Sequence, residues 1–212
     1  CVVLNVLIAG GQGIQFDYYG VADGISQSEI LCIFQDTEGY MWFGTQNGLN
    51  KFDGYSFVNY YHIPSDTNTI SNSWIFDITE DINGIIWLGT KGGINSFDKK
   101  TGLFTSFSLP GNISENPSNF VYGITSDSLN IYVNQSPVLT VIDIQTGSAT
   151  SFTSDLERDQ ALYDVGLPII KDREGILWMG SYHGLSSFDP ETREFEYYIH
   201  SDSDPGTPGH NH

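Results

Sequence analysis

Short hydrophobic segments recur along this chain, and each is bounded by residues that favour turns. In the first part of the chain they span 30–35, 40–45, 49–52 and 56–61. Segments of this length, separated by turns that contain Asp and Gly, predict β-strands joined by hairpins. The second segment is apolar at four successive positions from Tyr40 onwards, so both faces of its strand must be covered. The pattern therefore predicts short antiparallel sheets that stack face to face.

The same pattern returns with a regular period. A large aromatic residue stands in the second strand every 45 or 46 positions, and an Asp follows it eleven positions later. The aromatic residues are Trp42, Trp87, Tyr132 and Trp178, and the Asp residues are Asp53, Asp98, Asp143 and Asp189. Four strands in a repeat of about 45 residues are typical of a β-propeller blade. Because a blade buries its faces only against its neighbours, the recurring aromatic is predicted to be a packing residue.

We predict an all-β fold, a β-propeller of four-stranded antiparallel blades that is incomplete, with about four blades over residues 14–212. The predicted parts are the outer strand of a closing blade at 14–19, blade 1 at 30–61, blade 2 at 74–107, a degenerate blade 3 at 120–152, blade 4 at 165–200 and a linker to a next blade at 201–212. Residues 1–13 are apolar and end in small residues, which predicts the remnant of a signal peptide. The alternatives for that stretch are a buried strand and a lipid anchor on Cys1.

The second hairpin of each blade carries a prediction of its own. In blade 1, Asn47 and Gly48 predict a type I′ turn, which needs positive φ at both central residues. In blade 3 the same place holds Pro137 and Val138, and a β-branched valine resists positive φ. We therefore expect a different turn or a shifted register in blade 3.

Charge and cysteine content exclude several classes of partner and site. The formal net charge is −18, which repels phosphate backbones and anionic lipid, so we expect no nucleic-acid partner. Two cysteines are too few for a disulfide framework. Cys32 lies in an apolar run and is predicted to be a buried thiol rather than a nucleophile.

The repeats resemble those of the two-component regulator propeller family. The resemblance rests on residues 24–28 ahead of blade 1 and on 35–45 and 48–53 within it, and it extends from about residue 14 to the end, with blade 3 eroded. It implies a seven-bladed ring in the periplasmic, sensor part of an inner-membrane hybrid histidine kinase. It also implies an oligosaccharide ligand, further blades and downstream sensor domains as partners, and control of polysaccharide utilisation through a cytoplasmic kinase. A homodimer is a further partnership to test.

Residues suited to catalysis or metal binding are few. Carboxylates recur in the first turns of the blades, at Asp36, Glu38, Asp81, Asp127, Asp172 and Glu174. Because they occupy equivalent places in successive blades, we predict that they form turns, rather than a glycosidase acid pair or a calcium loop. The five histidines are scattered or lie near the end of the chain. We therefore predict no catalytic residue, no metal site and no cofactor.

Ligand binding by a propeller would use aromatic faces and planar polar groups on loops at one mouth of the ring. The candidates in second hairpins or at blade entrances are Gln46, Asn47, Trp74, Lys91, Tyr163, Tyr182 and His183. For each of them the alternative is a solvated loop residue. The predicted function is ligand sensing without catalysis, and the alternatives are a glycan-active propeller enzyme (hydrolase or lyase) and a non-catalytic protein-interaction scaffold.

Overall fold

The computed structural model describes residues 17–107, 109, 120–135, 138–153, 168–181, 184–201, 204 and 207. The predicted signal-peptide stretch at 1–13 lies outside these residues. Of the predicted N-terminal strand, residues 17–19 are described; they pair with no sheet and lead into a 3₁₀ helix at Val21–Asp23. The described residues contain no α-helix.

The described chain forms sixteen strands, which divide into four sheets. Blade 1 consists of β1 (Ile30–Gln35), β2 (Met41–Thr45), β3 (Gly48–Phe52) and β4 (Phe57–Tyr60), and blade 2 of β5 (Ile75–Glu80), β6 (Ile85–Thr90), β7 (Gly93–Asp98) and β8 (Leu103–Phe107). Blade 3 consists of β9 (Gly123–Ser126), β10 (Asn130–Asn134), β11 (Val138–Asp143) and β12 (Ala149–Thr153), and blade 4 of β13 (Ile169–Lys171), β14 (Leu177–Ser181), β15 (Gly184–Asp189) and β16 (Glu194–Ile199).

Within each blade the strands lie in chain order, and each pairs antiparallel with the next. The first strands of successive blades contact one another, β1 with β5, β5 with β9 and β9 with β13. This arrangement confirms the predicted all-β propeller architecture, in which the four blades do not close a ring. The strands predicted for the first repeat match the structure to within one residue at each end.

The predicted type I′ turn in blade 1 is wrong. Thr45 pairs with Gly48, so the loop consists of residues 46–47, and Arg193 is the only described residue other than glycine with positive φ. The Thr45 hydroxyl closes the loop: its Oγ1 accepts the Asn47 N–H at 2.9 Å and donates to the Gly48 carbonyl at 2.9 Å. Positive φ falls instead on Gly48 (110°), where a Cβ would meet the Tyr60 carbonyl oxygen, so this position requires glycine.

Blade 3 keeps the register of its neighbour. Tyr132 pairs with Val141 as Trp87 pairs with Ser96, so the alternative of a shifted register is wrong. Val138 begins β11 without the positive φ of the equivalent glycines, while residues 136–137 lie outside the described part of the chain.

The core lies between the blades rather than within them. Trp42 has no exposed surface and packs in a cluster that combines Leu49 of blade 1 with Ile78 and Phe97 of blade 2. The equivalent Trp87 and Tyr132 are exposed by only 7% and 1%. The predicted role of the recurring aromatic in packing is confirmed for these blades, because each blade hides its aromatic residue against the next blade.

Candidate functional site

The recurring carboxylate of the first turn holds both the turn and the aromatic residue of its blade. In blade 1, Asp36 Oδ1 accepts the backbone N–H groups of Glu38 at 3.0 Å and Tyr40 at 2.9 Å. Its Oδ2 accepts the indole N–H of Trp42 at 2.9 Å. The prediction that Asp36 forms a turn is confirmed, and the link to the indole is a second role that spacing did not reveal.

The other blades repeat this link with one substitution. The equivalent bonds are Asp81–Trp87 at 2.9 Å, Asp172–Trp178 at 2.6 Å and, in blade 3, Asp127 with the Tyr132 hydroxyl at 2.8 Å. Tyrosine can replace tryptophan because its O–H reaches the same carboxylate oxygen. These carboxylates are therefore occupied by structural contacts, which does not favour a pair of catalytic acids.

Lysines reach these carboxylates from neighbouring blades. The Lys99 ammonium of blade 2 lies 3.3 Å from Asp36 Oδ2, 2.9 Å from Glu38 Oε1 and 2.7 Å from Glu80 Oε1. Burial alone would lower the pKa of Lys99, but its hydrogen bonds to Glu80 and Glu38 outweigh burial and raise that pKa. Burial opposes ionisation of Asp36 as well, yet the Trp42 and Tyr40 N–H groups and Lys99 bring its pKa below the ordinary value. Both groups are therefore charged at neutral pH, and Lys171 bonds Asp127 similarly across blades 3 and 4.

The candidate ligand residues of blade 1 lie on loops where their side chains bond to protein groups. Gln46 Nε2 donates to Glu29 Oε2 at 3.4 Å, and Asn47 Nδ2 donates to the Ser26 carbonyl at 3.3 Å. Three further candidates, Tyr163, Tyr182 and His183, lie outside the described residues.

In blade 2 the structure brings two candidates together. The Lys91 ammonium lies 4.3 Å from the centroid of the Trp74 ring, and the Lys91 backbone N–H donates to the Trp74 carbonyl at 3.1 Å. The 4.3 Å between the ammonium and the ring centroid is within the range of a cation–π interaction. Trp74 precedes β5 and Lys91 follows β6, so the second hairpin and the blade entrance meet at one end of the sheet.

Three aromatic residues that sequence reasoning missed extend this pair. Phe120 lies 5.4 Å from the Lys91 ammonium, and the ring of Phe76 lies 5.0 Å from that of Tyr122 and 6.1 Å from that of Phe120. We call Trp74, Phe76, Lys91, Phe120 and Tyr122 the aromatic patch; all five are half-buried, and they span blades 2 and 3. The available signal was positional, because Phe120 precedes β9 as Trp74 precedes β5.

A carboxylate beside the patch joins the two blades. The Asp77 carboxylate of β5 accepts hydrogen bonds from the backbone N–H of Ile124 in β9 and from that of the adjacent Ile78, both at 2.9 Å. Burial, only partly offset by these bonds, raises the pKa of Asp77 to about 6.

The Cys32 sulfur faces Gly44 inside its blade, and burial together with the Asp77 carboxylate raises the pKa of this thiol. Cys32 is therefore a protonated packing residue, and it is half-buried where the sequence predicts a buried thiol.

No described part of the chain shows a group of three or more His, Cys, Asp or Glu side chains that could hold a metal ion. The described residues likewise include no helix long and apolar enough to cross a bilayer.

Comparison with known families identifies the repeats. A sequence model of the two component regulator propeller matches residues 24–47 and 69–92. Two segments of the chain therefore match the two-component regulator propeller repeat. In blades 1 and 2 each matched regulator propeller repeat runs from the segment before the first strand to the second hairpin. The matched residues thus include Gln46, Asn47, Trp74 and Lys91.

Proteins with similar sequences or folds belong to two-component systems and to other classes. Histidine kinase P4 of Formosa agariphila is 43% identical over 65 residues, which cover 31% of this chain and 5% of that protein. The extracellular domain assigned to a hybrid two-component system of B. thetaiotaomicron is 26% identical with a TM-score of 0.62, covering 79% of this chain and 24% of that one. An inactive virginiamycin B lyase variant from Staphylococcus aureus is 20% identical with a TM-score of 0.61, covering 87% of this chain and 58% of that one, and this likeness shows the fold alone.

The blades of this chain are therefore similar to the extracellular domain assigned to a hybrid two-component system. The chain spans about a quarter of the length of that solved structure and a twentieth of the kinase.

Proposed function

We propose that this chain is a non-catalytic, ligand-sensing part of the periplasmic region of a hybrid histidine kinase, and that it binds an oligosaccharide. The observation that supports the proposal most directly is the aromatic patch, where Lys91 lies over Trp74 beside aromatic residues of the next blade. The patch lies at the end of the blades where second hairpins and blade entrances meet. Loops at one end of a rigid scaffold are where binding residues concentrate.

The chemistry of the patch suits a sugar. The apolar face of a pyranose ring can pack on an aromatic face, which removes apolar surface of both from water. The Lys91 ammonium supplies donors for ring hydroxyl or acidic oxygens. Gln46 and Glu29 occupy the equivalent hairpin and entrance of blade 1, so polar groups lie next to the aromatic ones around the mouth.

The experiment is a calorimetric titration of the 212-residue chain with a panel of neutral and acidic oligosaccharides. We expect at least one member to bind, and Trp74→Ala to weaken its binding about ten-fold or more, which corresponds to the loss of about 1.4 kcal/mol. Tyr55→Ala is the matched control, because Tyr55 is 95% exposed and lies in a third turn, at the opposite end of the blade. Binding that Trp74→Ala leaves unchanged would contradict the assignment of the patch.

The proposal also includes a relay of the signal to a kinase that regulates polysaccharide utilisation, and this relay would involve the whole protein. A glycan-active enzyme and an interaction scaffold are the competing functions. Release of product from the same panel by the purified chain would favour the enzyme. A complete absence of binding to any oligosaccharide would favour the scaffold.

A further inference from the structure

A cavity of about 290 Å³ lies between blades 3 and 4. The blade 3 side chains that line it share one face of their sheet, because Tyr132 pairs with Val141 and Val141 with Thr150, and cross-strand partners point to the same side. Both polar and aromatic residues line the cavity, among them Tyr132, Asp143, Thr150 and Phe152 of blade 3 and Phe188 and Arg193 of blade 4.

The cavity and the aromatic patch lie at opposite ends of the blades. Asp143 ends β11 and Arg193 directly precedes β16, so both belong to third turns. The aromatic patch lies instead where second hairpins and blade entrances meet. The cavity is therefore a separate candidate site, to which neither sequence reasoning nor the proposed function assigns a role.

Small side chains in blade 3 account for the open space. In blade 1 the equivalent face is filled by the chain itself, since the Lys51 ammonium lies 3.5 Å from the centroid of the Tyr40 ring and 5.5 Å from that of Trp42. At the same repeat positions blade 3 has smaller residues, namely Asn130, Tyr132 and Val141. The erosion of the third repeat thus coincides with a cavity beside it.

Arg193 has a backbone conformation that favours glycine. Its φ is 64°, and the equivalent residues of blades 2 and 3 are Gly102, with a φ of 73°, and Gly147, with a φ of 70°. The three are equivalent because each donates its backbone N–H to the carbonyl of the Asp four residues earlier, which is Asp189 for Arg193. A side chain at positive φ costs free energy, and such residues concentrate at functional sites. The Arg193 side chain therefore calls for a role that glycine could not fill.

The Arg193 guanidinium lies at the rim of the cavity. Its Cζ lies 6.0 Å from the centroid of the Phe152 ring, across the interface between the blades. Among the described residues no carboxylate lies within ion-pair distance of Arg193, whereas Lys99 and Lys171 both bond carboxylates. In a chain with a net charge of −18, this cation is available to an anionic ligand. The planar fork of a guanidinium suits a carboxylate, which it binds through two parallel hydrogen bonds.

The rest of the cavity suits a hydroxylated ring. Phe152 is half-buried and Phe188 is buried, so both supply apolar surface. The Thr146 N–H and hydroxyl donate to Asp143 Oδ1 at 2.7 and 2.8 Å and lower the pKa of Asp143, which makes it an ionised acceptor at neutral pH. The Thr150 hydroxyl bonds no protein group within the described residues and supplies both a donor and an acceptor.

We propose that this cavity binds a single uronic acid, with the carboxylate at Arg193, hydroxyl groups at Asp143 and Thr150, and the apolar face of the ring against Phe152. Its volume lies at the lower end of the range of ligand sites, about 300–1,000 Å³, which favours one sugar ring over a chain of them. The proposal does not depend on oligosaccharide binding at the aromatic patch. The competing ligand is an aromatic amino acid, which also joins a carboxylate to an apolar ring.

Titration of the 212-residue chain, followed by the NMR signals of its backbone amides, tests the proposal. The probes are D-glucuronate and D-galacturonate, each compared with D-glucose or D-galactose, which have a hydroxymethyl group in place of the carboxylate. We expect at least one uronate to bind about ten-fold or more tightly than its neutral counterpart, and to shift the signals of Thr150 and Arg193 more than that of Trp74.

Three results of this titration would overturn the proposal. Absence of binding by both uronates would remove the site. Equal affinity for a uronate and its neutral counterpart would remove the role of Arg193. Binding of L-phenylalanine at these signals, without binding of a uronate, would replace the ligand class.

Arg193→Gly separates binding from stability. Glycine occupies the equivalent turns, so this variant keeps the turn and relieves the positive φ. Uronate affinity should fall about ten-fold or more, to that of the neutral sugar, while urea unfolding should show no loss of stability. Lys100→Gln is the matched control, because it also removes one positive charge, from an exposed residue in the third turn of blade 2. An equal loss of affinity in the control, or unchanged affinity in Arg193→Gly, would overturn the role of Arg193.

Trp74→Ala distinguishes this cavity from the aromatic patch. We expect it to leave uronate affinity unchanged, because Trp74 lies at the other end of the blades. Loss of uronate binding in Trp74→Ala would place the uronate at the patch and overturn the separate site, while it would leave the proposed function intact. Oligosaccharide binding that depends on Trp74, in a chain that binds no uronate at Arg193, would likewise overturn this inference alone.

Discussion

The bond between a turn carboxylate and an aromatic side chain is the smallest unit that this fold repeats. The sequence shows that an Asp stands six residues before Trp42 and that both residues recur, but it does not reveal that their side chains form a hydrogen bond. The contact depends on the direction in which each side chain leaves its strand. Blade 3 shows that the unit tolerates a change of aromatic residue, because Tyr132 donates an O–H where Trp42 donates an N–H.

Removing that donor in blade 3 tests the unit. Tyr132→Phe should lower the free energy of unfolding by about 1–2 kcal/mol, because it leaves an Asp127 oxygen without its hydroxyl partner. Urea unfolding followed by circular dichroism measures the change. Tyr55→Phe removes the same hydroxyl from a residue that is 95% exposed and should change stability by less than about 0.5 kcal/mol. Equal losses in the two variants would contradict this account.

At the scale of strands, the sequence is informative because alternation and apolar runs determine which segments form sheets. The strands of blade 1 follow from spacing. The register of blade 3 agrees with the spacing of Tyr132 and Asp143, although Val138 had left a shifted register open. The turn type of the hairpin after β2 does not follow from spacing. The Thr45 hydroxyl bonds the Asn47 N–H and the Gly48 carbonyl, and positive φ falls on Gly48.

The aromatic patch shows the same division between what spacing reveals and what it does not. Trp74 and Lys91 could be predicted, since both stand at positions that one blade brings to one end. The position of Phe120 ahead of β9 could be predicted in the same way, but its contacts with Phe76 and Tyr122 could not, since they depend on how far blade 3 rotates relative to blade 2.

The hydrogen bond from Ile124 of β9 to Asp77 of β5 leads to a prediction about the dependence of stability on pH. The folded pKa of Asp77, about 6, lies above the ordinary value of 3.8, so the folded state holds this proton more tightly than the unfolded state. Its contribution to stability is complete below pH 3.8 and is lost as pH rises through 6. Relative to Asp77→Asn, the unchanged protein should therefore lose up to about 3 kcal/mol between pH 4 and pH 7.

Urea unfolding of both proteins at several pH values measures this difference, because the other carboxylates titrate alike in the two and cancel. A difference that stays constant across that range, or that grows in favour of the unchanged protein, would contradict the buried environment of Asp77.

At the scale of the whole molecule, stability depends on contacts between blades, and cations are scarce. The chain has 8 Lys and Arg residues against 26 Asp and Glu residues. Lys99 nevertheless serves three carboxylates, two of which, Asp36 and Glu80, have side chains at most 2% exposed. It therefore joins the turns of blades 1 and 2 while it neutralises part of a crowded acidic rim.

Lys99→Gln should lower the free energy of unfolding by about 3 kcal/mol, because it leaves buried carboxylates without a cation. The neighbouring Lys100 is exposed, and Lys100→Gln changes the net charge equally, so it controls for the general effect of removing one positive charge. Thermal unfolding at neutral pH compares the two. Losses of similar size would show that overall charge, and not the contact between blades, accounts for the effect.

The replacement of tryptophan by Tyr132 also determines what light can report about this protein. Of the four tryptophans, Trp42 belongs to blade 1, Trp74 and Trp87 to blade 2, and Trp178 to blade 4. Excitation selective for indole therefore excites no side chain of blade 3 itself and reports on that blade only through Trp87, which packs against it, while phenol absorption includes Tyr132. Comparing the two signals during unfolding would reveal whether the eroded repeat separates before its neighbours, with no label added to the chain.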